Sequence, residues 1–470
     1  MFKRSALALA LLLIVSCADQ SAFQPSTTGA PAGFTAGVYE GTTPSGAAFR
    51  IEAPTNWNGT LLLYSHGYTA GPQNPARDVG DATTAKYLFE RGFALAGTSY
   101  LTTGWALEHA FKDQLDVLDL VAQKVGKPSR TIAWGHSLGG MITAGLVQRE
   151  PKRFQGALPM CGVLAGGIGG WDAALDGEFV ATTLLAPAAT IQLVRIGDPP
   201  ANQKLAQAMY AEAQKTAAGR ARLSLAAALT GAPGWFSIAT PEPGPNDFAA
   251  QEQNQELWQE QVHAVFFFNL RAELEKRAGG NPSTNVGVDY AKQLDSSPAK
   301  LEVVALYRSA GIDLAADLAT LARTPRISAD PAARDYLKRF ITFDGMLKVP
   351  TLSLHTSADG LVPVEQEQAY AQTVAHAGRT SLLQQLYVHR AGHCAFSPAE
   401  TVTALNALLK RLDTGSWPDL DPAHLAASAQ SLGDEYNVYA VQGKSVVVPA
   451  SFFKFDPPAF PRPFDAYSGK

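Results

Sequence analysis

Gly135-His136-Ser137-Leu138-Gly139 sets a serine between two glycines directly after the apolar run Thr131-Ile132-Ala133-Trp134. A serine hydroxyl is a weak nucleophile, so chemistry at Ser137 needs a base to take its proton and a third group to orient that base. The spacing suits such chemistry. In a G-x-S-x-G turn between strand and helix the serine occupies strained backbone, and the glycines remove Cβ atoms that would strike neighbouring chain. The helix that follows, read through Met141 to Gln148, brings backbone N–H groups and a positive dipole end to the place where an oxyanion would form. Nine histidines are available as the base.

The elements that would position these residues are read from periodicity. Gly59–Tyr68 (GTLLLYSHGY), Gly92–Tyr100 (GFALAGTSY), Arg130–Ser137 (RTIAWGHS) and Gly156–Gly162 (GALPMCG) are short apolar runs ending in turn-prone residues. Between them, Leu107, Phe111, Leu115, Leu118 and Val121 or Ala122 recur at helical spacing within Ala106–Val125. Strands alternating with helices predict an α/β fold with a mostly parallel sheet covered on both faces. Val38–Thr42 and Ala47–Ala53 predict an antiparallel hairpin at the sheet's edge.

With this order of elements the chain resembles serine hydrolases of the α/β-hydrolase fold, of the esterase and lipase kind, over Gly37–Gly166 and Gly345–Leu412. The resemblance implies a triad in chain order serine, acid, histidine. Val349–Gln366 (VPTLSLHTSADGLVPVEQ) looks like the acid-bearing strand and turn, which makes Asp359 the acid; Glu365 and Glu367, inside the following helix, are weaker substitutes. Leu386–Glu400 (LYVHRAGHCAFSPAE) matches the loop that carries the base. His393 is assigned that role, because it follows Ala391-Gly392 and precedes a helix starting near Ser397-Pro398. His389 falls within the strand and His136 beside the nucleophile, and both are expected to bond or pack locally. The oxyanion hole falls to the backbone N–H groups of Leu138 and of Tyr68, in the Ser65-His66-Gly67-Tyr68 turn, with His66 orienting that turn. A serine at the elbow, rather than aspartate or cysteine, separates the chain from the dehalogenases, epoxide hydrolases and thiol hydrolases that share such folds, and implies acyl transfer to water.

The division expected along the chain is a signal or lipobox segment at 1–17, a flexible linker at 18–36, the first part of the hydrolase core at 37–165, a helical cap inserted before the acid-bearing strand at 166–344, the second part of the core at 345–412, and a C-terminal strap at 413–470. In the cap, Gln203–Ala217, Val262–Ala278 and Leu301–Tyr307 read as amphipathic helices, and Gly166-Gly167-Ile168-Gly169-Gly170 as a flexible run. Trp171, Phe179, Trp235, Phe236, Trp258 and Phe266 to Phe268 are pocket candidates, although helical aromatics more often build core. The Pro-rich, aromatic end of the chain is expected to lie as an ordered strap on the core.

Lys3 and Arg4 precede an apolar stretch from Ala6 to Val15, the pattern of an export signal. Ile14-Val15-Ser16-Cys17 resembles a bacterial lipobox, with Cys17 as lipid anchor; ordinary cleavage after Ser16-Cys17-Ala18 is the alternative. The protein is therefore expected to be exported and either lipid-anchored to a bacterial membrane, facing the periplasm or outside, or secreted. Cys161 and Cys394 remain as an even pair where disulfides are permitted. Feruloyl esterases and tannases are similar in joining a cysteine beside the serine to one beside the histidine. Here His136 occupies the position before Ser137, so a bridge and two free thiols both stay open. A net charge of −4 with no basic stripe excludes a polyanionic partner such as nucleic acid. No metal-ligand spacing or phosphate loop is present, and no cofactor is expected. The function expected is hydrolysis of a small carboxylic ester, with a prolyl-type peptidase or a non-catalytic binding protein as alternatives.

Overall fold

The apolar run at Gly59–Tyr68 becomes a strand buried at every position, Thr60–Ser65. Leu61 and Leu63 join one core cluster while Leu62 and Tyr64 join the other, as expected of a strand covered on both faces. The computed structural model describes residues 33–468, apart from positions 73, 75, 189 and 442. The expected signal segment, Cys17 and most of the linker lie outside the described residues.

The strands are β1 (Gly37–Thr42), β2 (Ala48–Ala53), β3 (Thr60–Ser65), β4 (Ala94–Thr98), β5 (Arg130–His136), β6 (Gly156–Met160), β7 (Thr351–Ala358), β8 (Leu383–Ala391), a peripheral hairpin of β9 (Val438–Val441) and β10 (Lys444–Val447), and β11 (Phe452–Phe453). Nine of them form one sheet in the order β1-β2-β4-β3-β5-β6-β7-β8-β11. β3 to β8 run parallel, while β1, β2 and, at the far edge, β11 pair antiparallel. The predicted edge hairpin and the α/β layout are both observed.

Helices α1 (Ala82–Glu90), α2 (Leu107–Lys124) and α3 (Leu138–Arg149) follow β3, β4 and β5. Between β6 and β7 every regular element among the described residues is a helix: α4 (Gly166–Leu185), α5 (Pro199–Ala213), α6 (Ala217–Thr230), α7 (Phe248–Leu257), a π turn at Trp258–His263, α8 (Ala264–Ala278), α9 (Tyr290–Ser296), α10 (Lys300–Ala310), α11 (Leu314–Arg323) and α12 (Pro331–Phe340). α13 (Glu365–His376) and α14 (Pro398–Thr414) complete the sheet's cover, and α15 (Pro422–Gln430) and α16 (Phe464–Tyr467) lie in the tail. Leu175, Phe179, Leu223, Phe268 and Leu337 from the inserted helices share one core cluster with Leu61, Ala96 and Ala133 of the sheet. The insertion is thus welded to one sheet face by apolar contact.

Three expectations are corrected. The helix read over Gln203–Ala217 ends at Ala213, because the Thr216 side chain accepts from Gly219 N and starts a new helix. The glycine run 166–170 is not a flexible loop but the first turns of α4, where its bare Cα atoms allow close approach: a Cβ at Gly169 would meet the Ala165 Cβ at 2.8 Å and the Tyr467 Cβ at 3.0 Å. The last core helix runs past the expected boundary at Leu412: α14 continues to Thr414, and the strap itself carries a helix, α15, capped by the Asp421 side chain.

Candidate active site

Ser137 sits between β5 and α3 with φ 59° and ψ −125°, backbone that residues with a Cβ seldom adopt. The flanking glycines make this turn sterically possible. A Cβ on Gly139 would lie 1.9 Å from the Ser65 carbonyl oxygen, and one on Gly135 would lie 2.4 Å from the same atom. Ser137 N–H donates to the Met160 carbonyl at 2.9 Å, which ties the turn to the end of β6.

The three side chains assigned from sequence converge. The Ser137 hydroxyl lies 2.8 Å from His393 Nε2, and His393 Nδ1 lies 2.7 Å from Asp359 Oδ2. This geometry suits an imidazole that carries its proton on Nδ1 and accepts from serine at Nε2. The other carboxylate oxygen of Asp359 accepts from Leu361 N at 3.0 Å and Val362 N at 2.9 Å, so the turn after β7 fixes the acid's direction. Beneath it lies His355, a residue the sequence did not single out. Its Nε2 is 3.6 Å from Asp359 Oδ2 and its Nδ1 is 3.1 Å from Glu367 Oε1. Burial pushes the His355 imidazole down, but the Glu367 hydrogen bond and the charges of Glu367 and Asp359 outweigh it and raise its pKa.

The two carboxylates named as substitutes are placed elsewhere. Glu367 bonds Ser353, His355 and Gln385. Glu365 lines the cavity beside the serine. His389 is a surface residue whose Nε2 lies 2.9 Å from Glu242. His136 lies 3.3 Å from the Tyr64 hydroxyl, and burial pushes its pKa down to about 4. His66 turns its Nδ1 to the Gly67 carbonyl at 2.7 Å and stacks on Tyr100, whose hydroxyl donates to the His66 carbonyl at 3.0 Å. The turn that carries Tyr68 abuts the nucleophile, for a Cβ on Gly67 would lie 3.4 Å from the Ser137 Cβ. Cys161 and Cys394 are bonded, and the Cys394 sulfur lies 3.4 Å from His393 Nε2.

Ser137 opens on a cavity of about 160 Å³ roofed by the inserted helices. Trp105, Trp171, Phe266, Phe267, Leu270 and Phe460 give it an apolar wall. Of the sequence-named aromatics, Trp171, Phe266 and Phe267 line it; Phe179 stacks on Tyr290, Phe236 and Trp258 pack together, Trp235 lies against His389, and Phe268 is core. Glu178 from α4, bonded by the Tyr210 hydroxyl at 2.9 Å, and His263, whose Nε2 meets the Gly360 carbonyl at 2.6 Å, were not anticipated as lining residues. The strap reaches the cavity as Phe460 and Pro461.

Residues 90–165, from the last residue of α1 through the elbow to the loop after β6, match the prolyl oligopeptidase family. The o-phthalyl amidase of Xanthobacter agilis is 28% identical over 435 residues, which cover 86% of this chain and 94% of that protein. Feruloyl esterase B from Aspergillus oryzae is similar in structure at a TM-score of 0.39, with 14% identity, over 81% of this chain and 82% of the esterase. Acylaminoacyl peptidase from Pyrococcus horikoshii is similar at a TM-score of 0.33, with 10% identity; 77% of this chain is covered but only 38% of the peptidase.

Proposed function

We propose that this chain, a serine hydrolase of the α/β-hydrolase fold, cleaves a carboxylic ester of a small, largely apolar acid through an acyl-serine intermediate. The observation that carries the reading is the unbroken hydrogen-bonded sequence Ser137–His393–Asp359 at the mouth of an apolar cavity. Ser137 Oγ attacks the acyl carbon as its proton passes to His393 Nε2, and Asp359 holds the resulting imidazolium. His393 returns that proton to the departing alkoxide, leaving an acyl-serine and a free alcohol. Water then attacks the acyl carbon, giving its proton to His393; the acid departs, and Ser137 regains a proton from the imidazolium. The N–H groups of Leu138 and Tyr68 are assigned the oxyanion in both steps. A cavity of about 160 Å³ suits a single ring or short branched chain, since about 150 Å³ is enough to hold benzene.

Amide hydrolysis is the second reading, favoured by the name of the Xanthobacter relative and by the prolyl oligopeptidase match. It uses the same residues, with an amine as leaving group. Matched p-nitrophenyl esters and p-nitroanilides of acids of increasing size, including aminoacyl anilides, separate the two. Faster turnover of the ester, beyond what leaving-group reactivity gives in a Ser137-independent control, supports the first. Selective turnover of an anilide establishes the second. A fluorophosphonate probe that leaves Ser137 unlabelled would make this a binding protein. We also assign the protein to an exported location, anchored by lipid at Cys17 or secreted, a reading to which a disulfide is congenial. Globomycin should then accumulate the precursor, and Cys17→Ser should release the protein from membranes; unchanged membrane association would reject the anchor.

A further inference from the structure

Most buried polar atoms in folded proteins find a hydrogen-bond partner, so a group of unpartnered ones around a cavity calls for an explanation. Four side chains lining the cavity at Ser137 each carry such an atom: Trp105 Nε1, Trp171 Nε1, Gln259 Oε1 and Glu365 Oε2. Two are obligate donors and two are acceptors. Glu365 is the costliest of these, because an unpaired buried carboxyl oxygen loses its hydration without return. Its carboxyl is pressed against Gly231, the left-handed residue that ends α6, where a Cβ would come within 2.9 Å of Oε2. Among the described residues no lysine or arginine lines the cavity.

We propose that this cavity recognises a substrate bearing one uncharged group that both donates and accepts hydrogen bonds, a hydroxyl or a primary carboxamide, with Glu365 as the acceptor that selects it. The inference rests on the hydrolytic reading above and names the substrate class that this site takes. An anionic substituent meets two carboxyl groups, Glu178 and Glu365, and no cation. A plain hydrocarbon leaves Glu365 Oε2 unpaired, and a site built to bond a substrate hydroxyl discriminates against the analogue lacking it, because its own buried polar group then goes unsatisfied. Burial pushes Glu178 and Glu365 each up to about 7, so near neutrality neither is committed to a charge that would demand a cationic partner. The indole N–H groups of Trp105 and Trp171 are the donors available to the hydroxyl's oxygen.

The test compares p-nitrophenyl esters and p-nitroanilides of phenylacetic acid, its three monohydroxy isomers, the corresponding methyl ethers, and the aminomethyl and carboxyl analogues. Each is measured on wild type, Glu365→Gln and Glu365→Leu. The readout is the ratio of kcat/KM between two substrates on one enzyme, so a variant that folds poorly does not alter it. In wild type one hydroxy isomer should exceed both the parent and its methyl ether by about tenfold, the scale of one hydrogen bond to a carboxylate. Glu365→Gln, which keeps an acceptor oxygen, should retain part of that preference, and Glu365→Leu should reduce the ratio to near one. Parent and hydroxy compounds turned over equally, a preference unchanged in Glu365→Leu, or the aminomethyl or carboxyl analogue preferred would each overturn the inference while leaving hydrolysis intact. Failure to cleave any ester or anilide, parents included, would instead count against the hydrolytic reading and remove the basis of this one with it.

Discussion

Cys161 and Cys394 are joined across 233 residues of sequence with their Cα atoms 5.4 Å apart, so a single bond closes a loop that contains every inserted helix. Cys161 follows β6, the strand whose Met160 carbonyl holds Ser137 N–H, and Cys394 follows the base itself. By chain entropy a loop of this length stabilises the fold by about 5 kcal/mol. Reduction is therefore expected to lower the melting temperature by several degrees and to lower activity as the His393 loop loosens. Non-reducing peptide mapping should recover the two cysteines in one linked peptide. Two thiols alkylated freely in the unreduced, denatured protein would rule the bond out.

Ser137→Ala is expected to reduce turnover on the order of a millionfold, the scale found when a triad nucleophile is removed, while leaving the melting temperature within a few degrees. His393→Ala should be comparably damaging. His389→Ala should be mild, because that ring is a surface group bonded to Glu242 and Ser357. A severe His389 variant beside a mild His393 variant would reverse the assignment of the base.

The site was legible where chemistry is written locally. Gly135 and Gly139 are both dictated by backbone carbonyls that close on the turn, the Ser65 carbonyl nearest of all, so the motif shows in five consecutive residues. Asp359 and His393 each sit in a turn ending a buried strand, β7 and β8, which apolar runs reveal. The cavity wall was not legible, because which face of a helix meets the cavity depends on distant packing. Phe267 and Phe268 are neighbours on α8 and both join the core, yet only the first also lines the cavity. Glu178 lies on a helix that sequence began as a glycine loop, and Phe460 arrives from a segment with no periodic pattern at all. The glycines of α4 misled for a related reason: in isolation they weaken a helix, and only the neighbouring Ala165, Leu337 and Tyr467 side chains show that they permit close packing.

Stability should fall as pH rises, owing to buried carboxyls in the inserted helices. Glu252 on α7 is pushed from 4.5 up to about 8 by burial, with the charges of Glu256 and Glu302 adding to it, and Glu302 on α10 is pushed up to about 7, again by burial. Between roughly pH 4.5 and 8 the folded protein retains a proton on Glu252 that the unfolded chain has released. The unfolded state then binds fewer protons, and stability declines across that window. Glu252→Gln removes this titration. It is expected to raise the melting temperature above wild type at pH 8 and to leave it nearly equal at pH 4.5; equal shifts at both values would show that the side chain acts by shape alone.

Arg462 holds the strap to the first inserted helix. Its Nε donates to Asp176 Oδ2 at 2.5 Å, and its Nη2 donates to the carbonyls of Asp172 at 3.1 Å and Thr284 at 2.9 Å. Both charged groups are buried. Arg462→Ala therefore strands the Asp176 carboxylate, which keeps the Tyr290 hydroxyl at 2.9 Å but loses its countercharge, and should cost about 3–5 kcal/mol of stability. The functional consequence follows from position in the chain: the residues immediately before Arg462 are Phe460 and Pro461, which form one wall of the cavity. With the anchor gone that wall is freed, whereas the Ser137–His393–Asp359 geometry rests on β5, β7 and β8 and is untouched. For a small aryl ester, KM should accordingly rise several-fold with kcat changed less than about twofold. Phe460→Ala, which opens the same wall without stranding a charge, should shift preference toward bulkier acyl groups. A lowered melting temperature in Arg462→Ala with KM and acyl preference unchanged in both variants would leave the strap a structural clasp with no part in choosing substrate.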